Sequence, residues 1–238
     1  MITETRFAAS HHGFCHDLLP AAESYLRTCN LDLGMFATPM YSRVPASLRG
    51  LVNELGFRLF ALDLPIGQGA SKIPPPLMLA EAERARIFIE KFRQHGRAPL
   101  SHLDEEGLAE AVQLADRTML FFRKAAGAEE LIETAPHFRG CGWIAECDGD
   151  ALWRGTLYEI KAGDRAFRST DLRQALIYCA LAFASKSHDI AQLCLVNPRH
   201  GTYFAAPVND ICESIAGRSA SEVLGDIVDY VSDSKDSY

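Results

Sequence analysis

Two acids and a lysine stand close together in the run GCGWIAECDGDALWRGTLYEIKAG, Gly140 to Gly163. Carboxylates paired with a lysine are groups that can hydrolyse a phosphodiester. The acids are Asp150 and Glu159, and the cation is Lys161. Their spacing supplies a geometry. Arg154-Gly155 reads as a two-residue hairpin connection whose glycine tolerates positive φ, so Trp153 faces Thr156. Counting outward pairs Leu152 with Leu157, Asp150 with Glu159, and Asp148 with Lys161. Side chains alternate at period two, so Asp148, Asp150, Glu159 and Lys161 share one face. Trp143, Ala145, Cys147, Ala151, Tyr158, Ile160 and Ala162 share the other. The expectation is a hairpin with one buried face and one charged face.

Directly opposed carboxylates repel and need a compensating cation. Mg²⁺ suits them, because it takes hard oxygen ligands, keeps several waters and is commonly held by one or two carboxylates; Mn²⁺ is the substitute. Asp150 and Glu159 are the expected side-chain ligands, and the backbone carbonyl of Ile160 would add a third oxygen. Asp148 is the alternative first acid, being on the same face and opposite Lys161. Asp150 is favoured because it opposes Glu159 directly and can share one metal with it. Lys161 would orient the attacking water and stabilise charge gathering on the phosphate.

The elements that must position these groups follow in order. DRAFRSTDLRQALIYCALAFASK predicts a helix with Ser169 or Thr170 as N-cap, its apolar residues recurring at helical spacing. Gln174 and Tyr178, four apart, lie on one stripe of it. IAQLCLVNP (Ile190 to Pro198) reads as a buried strand, and GTYFAAP (Gly201 to Pro207) as its hairpin partner.

Strand, strand with Glu-x-Lys, helix with Gln-x3-Tyr, strand: in this order the chain resembles the PD-(D/E)XK nucleases, closest to the RecB-like branch, over roughly residues 105 to 205. Asp150 matches the family's aspartate, and Glu159 and Lys161 match its (D/E)-x-K. Gln174 and Tyr178 match the Gln-x3-Tyr of the branch. The resemblance extends to nuclease-like proteins found beside phage-defence and restriction genes. It implies an α/β fold with a mixed central sheet flanked by helices, a restriction-endonuclease-like core. It also implies Mg²⁺-dependent DNA cleavage leaving a 5′-phosphate, with Gln174 and Tyr178 bracing the site. The branch often adds an upstream helical ligand, for which Glu106, Glu110 and Glu133 are candidates. The Asp150 to Glu159 spacing is short for the family. A subunit that keeps the nuclease fold to bind DNA or a partner enzyme without cutting is the alternative.

Composition bounds the partners. The net charge of −7 argues against wrapping nucleic acid by bulk electrostatics. The acid excess lies beyond Asp210, while acids and bases balance between Gly140 and Tyr203. Arg165, Arg168 and Arg173 are therefore the expected phosphate contacts, and weak DNA affinity implies a delivering partner such as an ATPase or helicase. No apolar run approaches a membrane span, so a soluble, cytoplasmic protein is expected. The seven scattered cysteines suggest buried thiols, and HHGFCHD (His11 to Asp17) suggests a surface or capping segment. Residues 1–100 form an N-terminal extension and 101–238 the nuclease-like domain. Within the extension, FRLFALDL (Phe57 to Leu64) looks like a strand and IPPP (Ile73 to Pro76) like a stiff break. Leu77 to Gly96 reads as a helix closed by its glycine, and Glu105 to Ala126 as a second helix.

Overall fold

The Arg154-Gly155 connection folds back tightly, with φ of 46° at Arg154 and 72° at Gly155, the backbone twist that a two-residue hairpin requires. The computed structural model describes residues 1–10, 12–64, 67–91, 99–124 and 132–233. In chain order the helices are α1 (Glu4–Ser10), α2 (His12–Leu18), α3 (Ala22–Cys29), α4 (Arg49–Asp63), α5 (Pro75–Lys91), α6 (Glu105–Lys124), α7 (Ser169–Ser185), α8 (Val208–Ala216) and α9 (Ala220–Ser232). The strands are β1 (Gly34–Met35), β2 (Glu133–Thr134), β3 (His137–Phe138), β4 (Cys147–Asp148), β5 (Ala151–Trp153), β6 (Thr156–Ile160), β7 (Gln192–Asn197) and β8 (Thr202–Pro207).

Six strands form one mixed sheet in the order β1-β8-β7-β6-β5-β2, and β3 and β4 form a separate ribbon. The β5–β6 register is the expected one at Trp153 with Thr156, Leu152 with Leu157, and Ala151 with Tyr158. β7 lies parallel to β6. Parallel neighbours need a crossover, and α7 is that crossover. β8 returns antiparallel to β7, and β1 caps the sheet edge against it.

Helices cover both faces of the sheet. Leu157, Leu193 and Leu195 pack with α7, α8, α9 and the N-terminal helices. Ala151, Tyr158, Cys194 and Val196 pack with α4 and α6. Burial on both faces explains why β7 reads as an unbroken apolar run rather than an alternating one. Sequence reasoning assigned one face to charge, and this is corrected: the face that carries Glu159 is roofed by α7, and Glu159 is only 3% exposed.

Three further expectations change. The hairpin does not extend to Asp148. Gly149 lies against the Phe138 ring, where a Cβ would come within 3.0 Å. Its N–H donates to the Pro136 carbonyl, so Cys147 and Asp148 leave the sheet and pair with Phe138 and His137. Phe57 to Leu64 is helical, within α4 apart from Leu64 as its C-cap. Leu51, Leu55, Leu59 and the neighbouring Val52, Gly56 and Phe60 are buried at helical spacing, a pattern that a dense apolar run conceals. IPPP breaks the chain only at Ile73 and Pro74, because α5 begins at Pro75; the preset φ of proline and its missing N–H suit the first helical turn. Gly96 and Ala126, the expected helix ends, lie outside the described residues.

Among the described residues, each core cluster draws on both sides of residue 100. Phe7, Ala8, Leu18, Ala22 and Leu26 are buried in the same cluster as α7, and Leu51, Leu55 and Phe60 in the same cluster as α6. Among the described residues no helix is long and apolar enough to cross a membrane.

Candidate functional site

Asp150 sits just before β5, in the position that continues the hairpin register towards Glu159. Its Oδ2 accepts the Ile160 N–H at 2.6 Å, replacing the backbone partner that β5 no longer offers there. A residue's N–H and C=O leave a strand on the same edge, so the Ile160 carbonyl also leaves on the Asp150 side. Lys161 continues β6, its N–H donating to the Val196 carbonyl at 2.7 Å. Its ammonium donates to Glu159 Oε1 at 2.5 Å and to Gln174 Oε1 at 2.8 Å. Gln174 in turn donates from Nε2 to the Tyr178 hydroxyl at 3.0 Å. The five side chains that the sequence singled out as catalytic are therefore brought together, by the approach to β5, the end of β6 and one stripe of α7.

The electrostatics of the pair are strained. Burial pushes the Glu159 carboxyl up to about 8, and the Asp150 charge pushes the same way against the attraction of Lys161. Burial also raises Asp150, with Lys161 and the Ile160 N–H opposing. Lys161 is held above its ordinary value: desolvation pulls it down, but Glu159 and Asp150 together outweigh that. The other carboxylate oxygen, Glu159 Oε2, is buried with no hydrogen-bond partner among the described residues. A lone pair so placed normally costs free energy unless something meets it.

An acid whose folded value lies above its unfolded one keeps a proton that the unfolded chain has released. The stability of the metal-free protein should therefore fall as pH rises from about 5 towards 8. Urea midpoints at pH 6 and pH 8 check this. Glu159→Gln should flatten the profile, and an unaltered slope in that variant would contradict the assignment.

These residues fit a divalent cation. No three His, Cys, Asp or Glu side chains among the described residues are placed to hold a metal, so the side-chain donors reduce to Asp150 and Glu159. Mg²⁺ is often content with one or two carboxylates, water and substrate phosphate making up the rest. Two repelling carboxylates and an orphaned buried oxygen are what such an ion would relieve.

A cleft of about 320 Å³ opens beside Asp150, Ile160 and Lys161, walled by Asn53, Glu54 and Phe57 of α4 and Ile89 of α5. Arg165 lines it too and forms a two-pronged pair with Asp171 at 2.6 and 2.7 Å. The expected arginine trio does not line the cleft together. Arg168 is exposed at the start of α7, and Arg173 lies close enough to Cys15 of α2 to act on its thiol. The N-cap of α7 is Arg168 rather than Ser169 or Thr170, and Asp171 accepts the Arg168 N–H at 2.8 Å.

Asp148 stands apart. It is exposed, and its carboxylate bonds His137 Nδ1 at 2.8 Å, so it does not oppose Lys161. None of the three upstream acids reaches the site. Glu110 pairs with Arg199, Glu106 with Arg43, and Glu133 is exposed in β2. The acids that do approach are Glu54, whose carboxyl feels the Asp150 charge, and Glu4 of α1, within 3.4 Å of both Gln174 and Tyr178. Sequence reasoning missed both. Glu54 was hidden by the strand-like reading of its neighbours, and no spacing ties Glu4 to residues so far along the chain.

Compared with known proteins, the chain matches no family model, no curated protein and no solved structure.

Proposed function

We propose that the protein is a Mg²⁺-dependent nuclease that hydrolyses DNA phosphodiester bonds. One observation carries this reading: Lys161 bonds the buried Glu159 carboxylate at 2.5 Å, Asp150 holds the neighbouring Ile160 N–H at 2.6 Å, and Asp150 and Lys161 line one cleft. A purely structural sheet would gain nothing from burying an acid pair whose second member lacks a partner for Oε2. The succession α6, β2, β5, β6, α7, β7, with β7 parallel to β6, supports a restriction-endonuclease-like core and with it the RecB-like resemblance.

When bound, Mg²⁺ supplies Lewis-acid polarisation of the scissile phosphate. Asp150 and Glu159, with the Ile160 carbonyl, would hold it. Lys161 keeps its proton, so it acts as a donor and a charge rather than as a base. Its ammonium can direct an attacking water and neutralise the oxyanion that gathers as water adds to phosphorus and the P–O3′ bond breaks. Gln174 accepts a second hydrogen bond from the ammonium beside that to Glu159, and Tyr178 holds Gln174. Arg165 offers one phosphate contact at the cleft wall. A helicase or ATPase partner that delivers the strand fits so small a basic surface, and prokaryotic defence or DNA processing is the setting the resemblance implies.

The test is cleavage of a labelled oligonucleotide with Mg²⁺ or Mn²⁺, alongside calorimetric titration of the metal. Asp150→Asn should lose metal binding and lower the rate by about 10²-fold or more. Asp148→Asn, altered only at an exposed His137 contact, should stay within severalfold of wild type. The reverse ranking would overturn the ligand assignment. Metal binding in neither wild type nor Asp148→Asn would favour the non-cutting subunit.

A further inference from the structure

The segment from Ile2 to Phe7 is pinned over α7. Ile2 bridges the 143–145 segment: its N–H donates to the Trp143 carbonyl, and its own carbonyl accepts the Ala145 N–H, both at 2.9 Å. Thr3 Oγ1 accepts the Arg6 N–H at 3.2 Å, and Phe7 is buried against Trp143 and Tyr230. This anchoring fixes the first turn of α1, and Glu4 with it. Glu4 Oε1 lies 3.4 Å from Gln174 Nε2 and 3.4 Å from the Tyr178 hydroxyl, and it accepts the Thr5 hydroxyl at 2.7 Å.

We propose that Glu4 is a positioning residue of the site, the terminus of a hydrogen-bonded chain that makes the Gln174 amide present its oxygen to Lys161. This inference rests on the nuclease reading of the same site. An ionised carboxylate only accepts hydrogen bonds, and an ammonium only donates them. With Glu4 at one end, the Tyr178 hydroxyl donates to it and turns a lone pair towards Gln174. That lone pair, with Glu4 Oε1 and Thr5 Oγ1 at 3.2 Å, takes the amide N–H groups. The carbonyl end of Gln174 is then left for Lys161, where it stands at 2.8 Å. Both ends of the chain are single-purpose, so every link between them has one direction. Without Glu4, the Tyr178 hydroxyl is free to donate to Gln174 instead. The amide can then turn over and set N–H against an ammonium, which leaves Lys161 tied to Glu159 alone and drawn off the phosphate.

The experiment measures steady-state cleavage of a labelled oligonucleotide with Mn²⁺ for wild type, Glu4→Ala, Gln174→Ala and the double variant, with side-chain amide NMR of Gln174 in parallel. Glu4→Ala should lower kcat about tenfold with KM unchanged, the usual scale for losing an outer hydrogen-bond partner. In the Gln174→Ala background the same change should matter less than about twofold, because the two act as one unit. Glu4→Gln keeps the side-chain volume and an accepting oxygen, so it should recover most of the loss. Slow exchange of the Gln174 amide protons in wild type should be lost in Glu4→Ala. Equal effects of Glu4→Ala in both backgrounds, or an unchanged Gln174 amide, would overturn the proposal. If wild type cuts nothing, the nuclease reading fails, and the Gln174 amide signals still decide whether Glu4 orients it.

Discussion

Lys161→Met is expected to lower kcat by about 10² to 10³-fold, the scale seen when a single preorganised charge partner of a developing oxyanion is removed. Methionine keeps the stem of the side chain, which matters because the lysine side chain is only 22% exposed and not the solvent-facing strand residue that its Glu-x-Lys context suggests. Removing the ammonium also deprives Glu159 of its cation. Buried beside Asp150, that carboxyl then takes up a proton more readily still, so the variant should keep its fold and bind Mn²⁺ more weakly, increasingly so as pH falls. Single-turnover cleavage at pH 8 with saturating Mn²⁺ isolates the chemical step from that loss. A rate within threefold of wild type under those conditions would remove Lys161 from the reaction.

Arg199→Ala should destabilise the protein by about 3–5 kcal/mol. The guanidinium is fully buried. It donates to Glu110 Oε1 at 2.7 Å, to Asn53 Oδ1 at 2.9 Å and to the Ala162 carbonyl at 2.8 Å. Alanine strands a buried carboxylate whose other oxygen accepts the Ser42 hydroxyl at 3.0 Å. It also empties the junction of α4, α6 and the loop after β6. For a domain of this size the loss should lower Tm by roughly 10 °C. Arg199→Lys should recover little, because a point ammonium cannot serve three acceptors set for a planar fork. Arg199→Met combined with Glu110→Leu should recover more than either alone, since an apolar pair abolishes the stranded charge. Thermal unfolding followed by circular dichroism ranks the five variants. Equal Tm for Arg199→Ala and wild type would show that the buried pair contributes nothing.

That arginine also shows where sequence reasoning stops. The hairpin register, the α7 crossover and the β7–β8 pair were legible because each is local: a two-residue turn, a helical stripe and an apolar run ended by turn residues fix their neighbours within a few positions. That Asp150, Glu159, Lys161, Gln174 and Tyr178 come together was legible for the same reason, all lying within thirty residues on or beside elements of known period. Arg199 sits in a turn, Asn-Pro-Arg-His, that looks solvated, and its partners Asn53 and Glu110 come from helices far earlier in the chain. No spacing relates them. Asp148 misled through the same locality, since period two continued past Gly149 on paper while the backbone turned aside to meet Phe138. Residues 57–64 misled because strands and buried helices are equally apolar when a segment is packed nearly all round.

The cysteines divide between the layers that flank the sheet. Cys15, Cys179 and Cys212 are buried on the α7 side, and Cys194 is buried beneath α4 and α6. All are free thiols, and burial holds each of them above its ordinary value. Such groups react with a thiol reagent only when their own layer opens, so the native chain carries a separate clock for each side of its sheet. Tryptic fragments labelled at Cys179 or Cys194 over time would show whether the roof of α7 lifts independently of the α4 and α6 floor, or whether the two halves breathe as one.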